Sequence, residues 1–369
     1  MEYPYFKKQF SLVPYQDKLS IGSTPGIALE IEDPNQLVYK ILIYCDGEST
    51  VEQIAEKIEK EYPEVTYSDV NDVINTVSSY PYIMEDHKLQ RSSNLSNVQI
   101  ERHSRNMNFL SNFDPDGTTK YDKMEAIINS KVLVIGLGGV GSSVILNLAA
   151  LGVSKIVGVD FDKVDLSNLN RQLLYDEADV GSYKADSSKR RINQFNSEVD
   201  FETLNQKIES SRDVKELIVK YDIDFIFCAA DQPSIWIYKW INQACIETLT
   251  PWIYGGNSEA TSYFQTILPG ETSCFQCRED NLIESSKEGT DKYFSVLNNG
   301  YATQNNCLAA TSGCLTAFMI FDFIRVIADF DKPRGINKLF TIDYRDYTIS
   351  HIEQEFNQHC SCHLVKQTI

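Results

Sequence analysis

No stretch of the 369-residue chain reaches the roughly 20 consecutive apolar residues that a bilayer span requires. The opening MEYPYFKKQF also lacks the hydrophobic core of a secretory signal. Neither membrane insertion nor export is expected, and the chain reads as cytoplasmic. Positive charge is short as well: 34 Lys and Arg stand against 52 Asp and Glu, a formal net charge of -18. That balance excludes a general affinity for nucleic acid or for an anionic membrane surface, so any phosphate must be held by a local site. Histidine is sparse, with five residues and no metalloprotease or kinase spacing. No Ser/His/Asp set is evident either.

Nine cysteines are present, and their grouping matters more than their number. A cytoplasmic chain of this size needs no disulfide framework. Cys274 and Cys277 form a CxxC, and Cys360 and Cys362 form a CxC. Together they supply four thiolates in two tight pairs, enough for a closed tetrahedral zinc site, and His359 or His363 stands close enough to replace one of them. The other five, Cys45, Cys228, Cys245, Cys307 and Cys314, lie singly among apolar residues and are expected to be packed inside.

Two domains are expected from the length. In the first, Phe10 to Val13, Leu19 to Ile21 and Ile27 to Ile31 are strand-like, separated by Pro and Gly turns. Helices are expected from Leu37 to Cys45, after a Ser49-Thr50 cap with Val51, Ile54, Ala55 and Ile58 inward, and from Ser68 to Ser79. The polar, serine-rich QRSSNLSNV then reads as a linker, which places a boundary near residue 95: a small α+β domain over residues 1–95 and an α/β domain over residues 96–369. In the latter, apolar runs at Val132 to Ile135, Lys155 to Val159, Phe225 to Ala229 and Trp252 to Tyr254 alternate with helical stretches, the pattern of a mostly parallel, Rossmann-like sheet.

The strand KVLVI runs straight into Gly136, Gly138, Gly139 and Gly141 and then a helix-forming stretch. Glycines there let backbone amides at a helix N-terminus approach phosphate closely. Asp160, at the end of the next strand, is placed to accept hydrogen bonds from ribose hydroxyls. These features alone leave a dinucleotide oxidoreductase and a nucleotidyltransferase both open. The residues that follow do not: Asp160-Phe-Asp162-Lys-Val-Asp-Leu-Ser-Asn168-Leu-Asn-Arg171-Gln172, then Gly181-Ser-Tyr-Lys184, then a strand ending in Cys228-Ala-Ala-Asp231. Transfer of an α-phosphate needs such converging cations and a metal-holding carboxylate, whereas hydride transfer does not.

This series of motifs, in this order, resembles the ThiF/MoeB/ubiquitin-activating superfamily over roughly residues 100 to 365. The resemblance implies adenylyltransfer from ATP with Mg2+. It makes Asp160 the ribose acceptor, with Asp162 beside it in the cofactor site, and Asn168, Arg171, Gln172 and Lys184 the triphosphate ligands, with Asp231 holding magnesium. Glu101-Arg102-His103-Ser104-Arg105-Asn106 is similar to that superfamily's RYxRQ element, with His103 for the tyrosine and Asn106 for the glutamine. Arg105 is then a cation supplied to the neighbouring subunit of a homodimer. Between Arg278 and Asn306 there is no cysteine, although members that pass their product to sulfur carry one in or just after this crossover segment. Cys307, the next one, is expected inside because it opens an apolar helix.

The small N-terminal domain resembles the PqqD-like, winged-helix-like modules that bind leader peptides by adding them to a sheet edge. An adenylating domain behind such a module is similar to the MccB-like peptide-adenylylating enzymes of microcin C biosynthesis. That resemblance implies a short precursor peptide as partner, a C-terminal carboxylate or carboxamide activated by ATP or CTP, and a peptidyl-nucleotide phosphoramidate antibiotic as product. Trp252, Tyr254, Asn257 and Glu259 follow a strand end and are candidates for the peptide site, with core packing as the alternative for the first two. A ubiquitin-like or sulfur-carrier activating enzyme, or another carboxylate-activating peptide maturase, is the rival expectation.

Overall fold

The computed structural model describes residues 1–22, 28–80, 83–113, 119–285, 291, 307–360 and 362. Residues 286–290 and 292–306 of the crossover segment, and His363, therefore lie outside the described residues. The chain divides into two compact units, Met1–Glu125 and Ala126–Ile369.

In the first unit, β1 (Pro4–Phe6) pairs antiparallel with β5 (Met84–Asp86), while β2 (Leu12–Tyr15), β3 (Lys18–Ile21) and β4 (Leu29–Glu32) form an antiparallel meander. Helices Leu37–Tyr44, Val51–Glu61 and Tyr67–Ser78 bury Ile41, Leu42, Ile54, Ile58, Val70, Ile74 and Val77 with Leu19 and Ile21 of β3. The second helix starts where Thr50 caps Gln53 N, in a reciprocal box with the Gln53 side chain. The third starts one residue before the expected point, because Thr66 rather than Ser68 makes the cap, paired with Asp69. The pair β1 and β5 was not expected, since three-residue strands carry no periodicity to read.

The unit also runs thirty residues past the serine-rich stretch near residue 95. Ser96 caps helix Asn97–Arg102, and helix Ser104–Leu110 follows. Within this same unit, Lys120 reaches back to Glu85 at 2.7 Å, with both side chains buried. This paired, buried charge ties Lys120 to β5 within the unit.

The second unit is built on an eight-stranded sheet in the order β13-β12-β11-β10-β9-β6-β7-β8. Strands β6 (Lys131–Ile135), β7 (Lys155–Val159), β8 (Asp200–Leu204), β9 (Phe225–Cys228) and β10 (Trp252–Ser258) run parallel. β11 (Thr261–Ile267), β12 (Lys338–Asp343) and β13 (Thr348–Glu353) continue it antiparallel. The central strands are apolar on both faces because helices cover both sides.

Helix Ala309–Ala328, 20 residues with a mean hydropathy of 1.5 over its most apolar window, is the one helix among the described residues long and apolar enough to cross a membrane. Here it packs in the core: Phe323 meets Phe225 and Phe227 at ring separations of 5.2 and 5.5 Å. Within the same helix, Asp322 is buried and accepts from Thr266, Arg334 N and Gly335 N.

Candidate functional site

The glycine turn is built for close approach. Gly136 sits at φ +92°, and a Cβ there would lie 2.7 Å from Ala230 N, so no other residue fits. Gly141 seats helix Gly139–Leu151 against the strand, because a Cβ would come within 1.8 Å of Gly136 O. Gly141→Ala is therefore expected to cost about 3 kcal/mol by forcing helix and turn apart, measured as a lowered urea midpoint. Around Gly138, in contrast, an added Cβ would find its nearest neighbour 3.7 Å away, at Gln172 Nε2.

A cavity of about 500 Å3 opens above this turn. Gly136, Gly138, Gly139, Asp160, Asp162, Asn168, Arg171, Gln172, Lys184 and Asp231, drawn from five separate segments, all line it. Gly141 does not, and its part is the packing just described. Arg105 belongs to the first unit, on helix Ser104–Leu110, where its side chain is exposed.

Asp160 is buried and accepts Leu137 N and Asp162 N, both at 2.7 Å, one on each oxygen. Burial pushes its carboxyl above the usual carboxylate range, and the Lys184 ammonium and these two backbone donors pull against that shift. Lys184 is itself nearly covered and reaches Asp162 at 2.9 Å. Its backbone N donates to Asp162 O, which ties the start of helix Lys184–Phe195 to the loop after β7. Tyr175 donates to Leu137 O at 2.9 Å and holds the glycine turn from the far side.

Arg171 is half-buried, its Nη1 donating to Ser167 O and Asn170 Oδ1, with its stem within 3.4 Å of the Cβ position of Gly139. Gln172 is buried on the cavity wall, and its Oε1 has no hydrogen-bond partner among the described residues. A bound donor would satisfy it. The amides of the turn, two cations and two carboxylate-bearing strand ends together fit a nucleoside triphosphate. An exposed carboxylate on the cavity wall, as Asp231 supplies, suits Mg2+, which usually takes few protein ligands.

Cys274, Cys277, Cys360 and Cys362 are all buried, with their sulfurs within 4.8 Å of one another. The recorded separations are 3.8, 3.6 and 3.3 Å, near the ~3.8 Å edge of a tetrahedron with 2.3 Å Zn–S bonds. Asn242 donates to the Cys274 sulfur at 3.6 Å and accepts Phe275 N, the kind of outer support a thiolate ligand needs. The donor set fits zinc. His359 is exposed and stands outside this group.

The expectation for the five single cysteines needs correction. Cys45, Cys228 and Cys245 are packed inside, with burial pushing the first two up to about 12, but Cys307 and Cys314 are only half-buried. Cys307 precedes helix Ala309–Ala328 instead of opening its buried face, and it lines the cavity, held by Asn257 Nδ2 at 3.2 Å and Ser312 Oγ at 3.0 Å. Trp252 and Tyr254 belong to the core, whereas Asn257 lines the cavity. Sequence reasoning missed Tyr238 and Tyr263 on the same wall, and no motif marks either.

A model of the ThiF family matches residues 103–364. The chain is 28% identical over 250 residues to protein HesA, heterocyst, of Trichormus variabilis, covering 68% of this chain and 83% of that one. It is 31% identical over 168 residues to SUMO-activating enzyme subunit uba-2 of Caenorhabditis elegans, covering 46% of this chain and 28% of that one. It thus spans little more than a quarter of that relative. Among solved structures, E. coli MccB with AMPCPP and MccA superposes with a TM-score of 0.75 at 22% identity, over 98% of this chain and 99% of that one. PaaA superposes with a TM-score of 0.71 at 24% identity, over 95% and 100%. These likenesses establish the fold.

Proposed function

The chain belongs to the ThiF family, and from that premise we propose that it is a nucleotidyltransferase that activates the C-terminal end of a short, ribosomally made peptide with ATP or CTP. The observation that carries this reading is the convergence of Arg171, Lys184 and Asp231 with the glycine turn on one cavity. The peptide carboxylate oxygen, or the oxygen of a terminal carboxamide, attacks the α-phosphorus. The new O–P bond forms as the bond to the β-phosphate oxygen breaks, and pyrophosphate leaves with the electron pair. Arg171 and Lys184 take up charge growing on the phosphate oxygens, Asp160 fixes the ribose, and the turn amides hold the leaving group. Mg2+ at Asp231 would add charge neutralisation there. Arg105 serves as a cation from the second copy of a homodimer, and residues 1–95 recognise the leader part of the peptide at a sheet edge.

Incubating the protein with the peptide encoded beside its gene and each of the four triphosphates in turn tests this. The expected product is a peptide heavier by one nucleoside monophosphate, read by mass spectrometry. Unchanged peptide in all four mixtures overturns the proposal.

A second reading, activation of a ubiquitin-like or sulfur-carrier protein, is favoured by one observation: the Cys307 thiol faces the cavity. The two separate on a denaturing gel. A carrier-activating enzyme forms an adduct at Cys307 that dithiothreitol removes, and the peptide nucleotidyltransferase forms none.

A further inference from the structure

Sheet order divides the cavity. β6 carries the glycine turn, β7 and β8 lie on one side of it, and β9, β10 and β11 lie on the other. With phosphate at the N-terminus of helix Gly139–Leu151 and ribose against Asp160 after β7, the base points toward Gln206 and Lys207 after β8. The wall from β9 to β11 is then left for the acceptor, and Asn257 of β10 stands on it.

The Asn257 amide is held at both ends. Ser262 Oγ lies 2.5 Å from its Oδ1, a separation inside the usual O–H···O range and below the usual N–H···O range, which puts the amide oxygen on that side and makes Ser262 the donor. With its one proton spent, Ser262 accepts from the Tyr344 hydroxyl at 2.6 Å, a tighter contact than the 3.2 Å from Tyr344 to Thr311 O. At the other end, Asn257 Nδ2 meets Cys307 Sγ at 3.2 Å and Ser312 Oγ at 3.5 Å. Those two atoms stand only 3.0 Å apart, so one N–H covers both. The second N–H, splayed wide of the first in a planar amide, has no acceptor among the described residues and faces the cavity.

Ser262 is fully buried, and the chain from Tyr344 through Ser262 to Asn257 runs hydroxyl to hydroxyl to amide, so each bond polarises the next and strengthens the donor at its end. Ser312 Oγ also lies 3.1 Å from the place that a Cβ on Gly139 would take, which sets the Asn257 amide beside the phosphate turn.

We propose that the second N–H of Asn257 donates a hydrogen bond to the non-attacking oxygen of a C-terminal carboxylate, with Ser262 and Tyr344 as the positioning residues that aim it. This rests on the nucleotidyl-transfer reading above and narrows its acceptor to the free acid. A carboxylate offers one oxygen to Asn257 while the other attacks the α-phosphorus, and a neutral donor orients it without quenching it as a lysine would. A terminal amide cannot do both. With its oxygen attacking, its own NH2 is set against the Asn257 N–H, donor against donor. Asn257 transfers no proton in the step.

The test uses the full chain, ATP, and synthetic heptapeptides ending in each of the twenty residues, each made as free acid and as amide. Product is read by mass spectrometry, and ATP affinity separately by titration calorimetry. Wild type is expected to prefer the free acid by at least about tenfold in kcat/KM, a result that needs no variant. Asn257→Leu is expected to lower kcat/KM on the acid about thirtyfold with ATP affinity changed less than about twofold. Asn257→Asp, which turns the donor into an acceptor and sets like charge against a carboxylate, is expected to reverse the preference in favour of the amide. Ser262→Ala is expected to shrink the acid preference about threefold while ATP affinity holds, a change in selectivity that a merely structural role would not produce. Wild type that converts acid and amide equally, or Asn257→Asp that keeps the wild-type preference, overturns the proposal, as does an ATP affinity that falls in Asn257→Leu. Wild type that binds ATP but converts no peptide in either form overturns the underlying reading and this assignment with it, a result distinct from the others because no wild-type rate then exists.

Discussion

Asp231→Ala is expected to leave nucleotide and peptide binding in place while cutting turnover about a thousandfold. Asp231 follows β9 in the loop Cys228-Ala-Ala-Asp231 and is exposed on the cavity wall, so removing it disturbs no packed core. What it removes is the carboxylate that would hold the divalent cation, whose contribution grows as charge moves onto pyrophosphate. Such an interaction appears in kcat and hardly in ground-state affinity. Lys184→Ala offers the contrast. Lys184 is nearly covered and paired with Asp162 at 2.9 Å, and without it an unneutralised carboxylate faces the phosphates. Its loss is expected to weaken ATP binding about tenfold or more. Rapid-quench kinetics with separate equilibrium titrations distinguish the two. Equal loss of binding in Asp231→Ala would show that its place is structural.

Cys277→Ser is expected to release bound zinc and lower the melting temperature by about 10 °C, since even a few kcal/mol moves a chain of this size by that much. All four cysteines lie in the same core cluster as Leu133, Ile226 and Trp252, so the metal site is continuous with the sheet's packing. Four thiolates at 3.3 to 3.8 Å would repel one another strongly without a cation between them. Metal content by plasma mass spectrometry and a thermal melt check both halves. A protein that carries no zinc as purified, yet melts as wild type does, would remove the structural role assigned to the cluster.

The parts legible in the sequence were those written locally. The strand KVLVI, the glycine turn and the helix behind it follow from consecutive residues, and the parallel core from runs apolar on both faces. The cysteine pairs were legible because each half of a tetrahedral site comes from one tight turn. Cys307 was misread because the apolar stretch after it looked like one continuous helix, whereas the helix begins at Ala309 and Cys307 stays in the preceding loop. β12 and β13 went unseen because β13 is exposed along its whole length and offers no apolar face to count. Tyr238 and Tyr263 were invisible for a different reason. They come from a helix and a strand 25 residues apart (263 − 238), two of 20 tyrosines, and only the fold brings both to the cavity wall.

The thiols that meet in the cluster are 86 and 85 residues apart along the chain. During synthesis the nucleotide half, from β6 to β9, emerges and can fold well before residue 362 does. Arg278 and Phe275, which brace Tyr254 and Tyr238, flank Cys277 on the helix that the cluster anchors. A nascent chain can therefore assemble a triphosphate cradle early, whereas the four-thiol cluster is complete only after the ribosome has delivered the second pair of thiols.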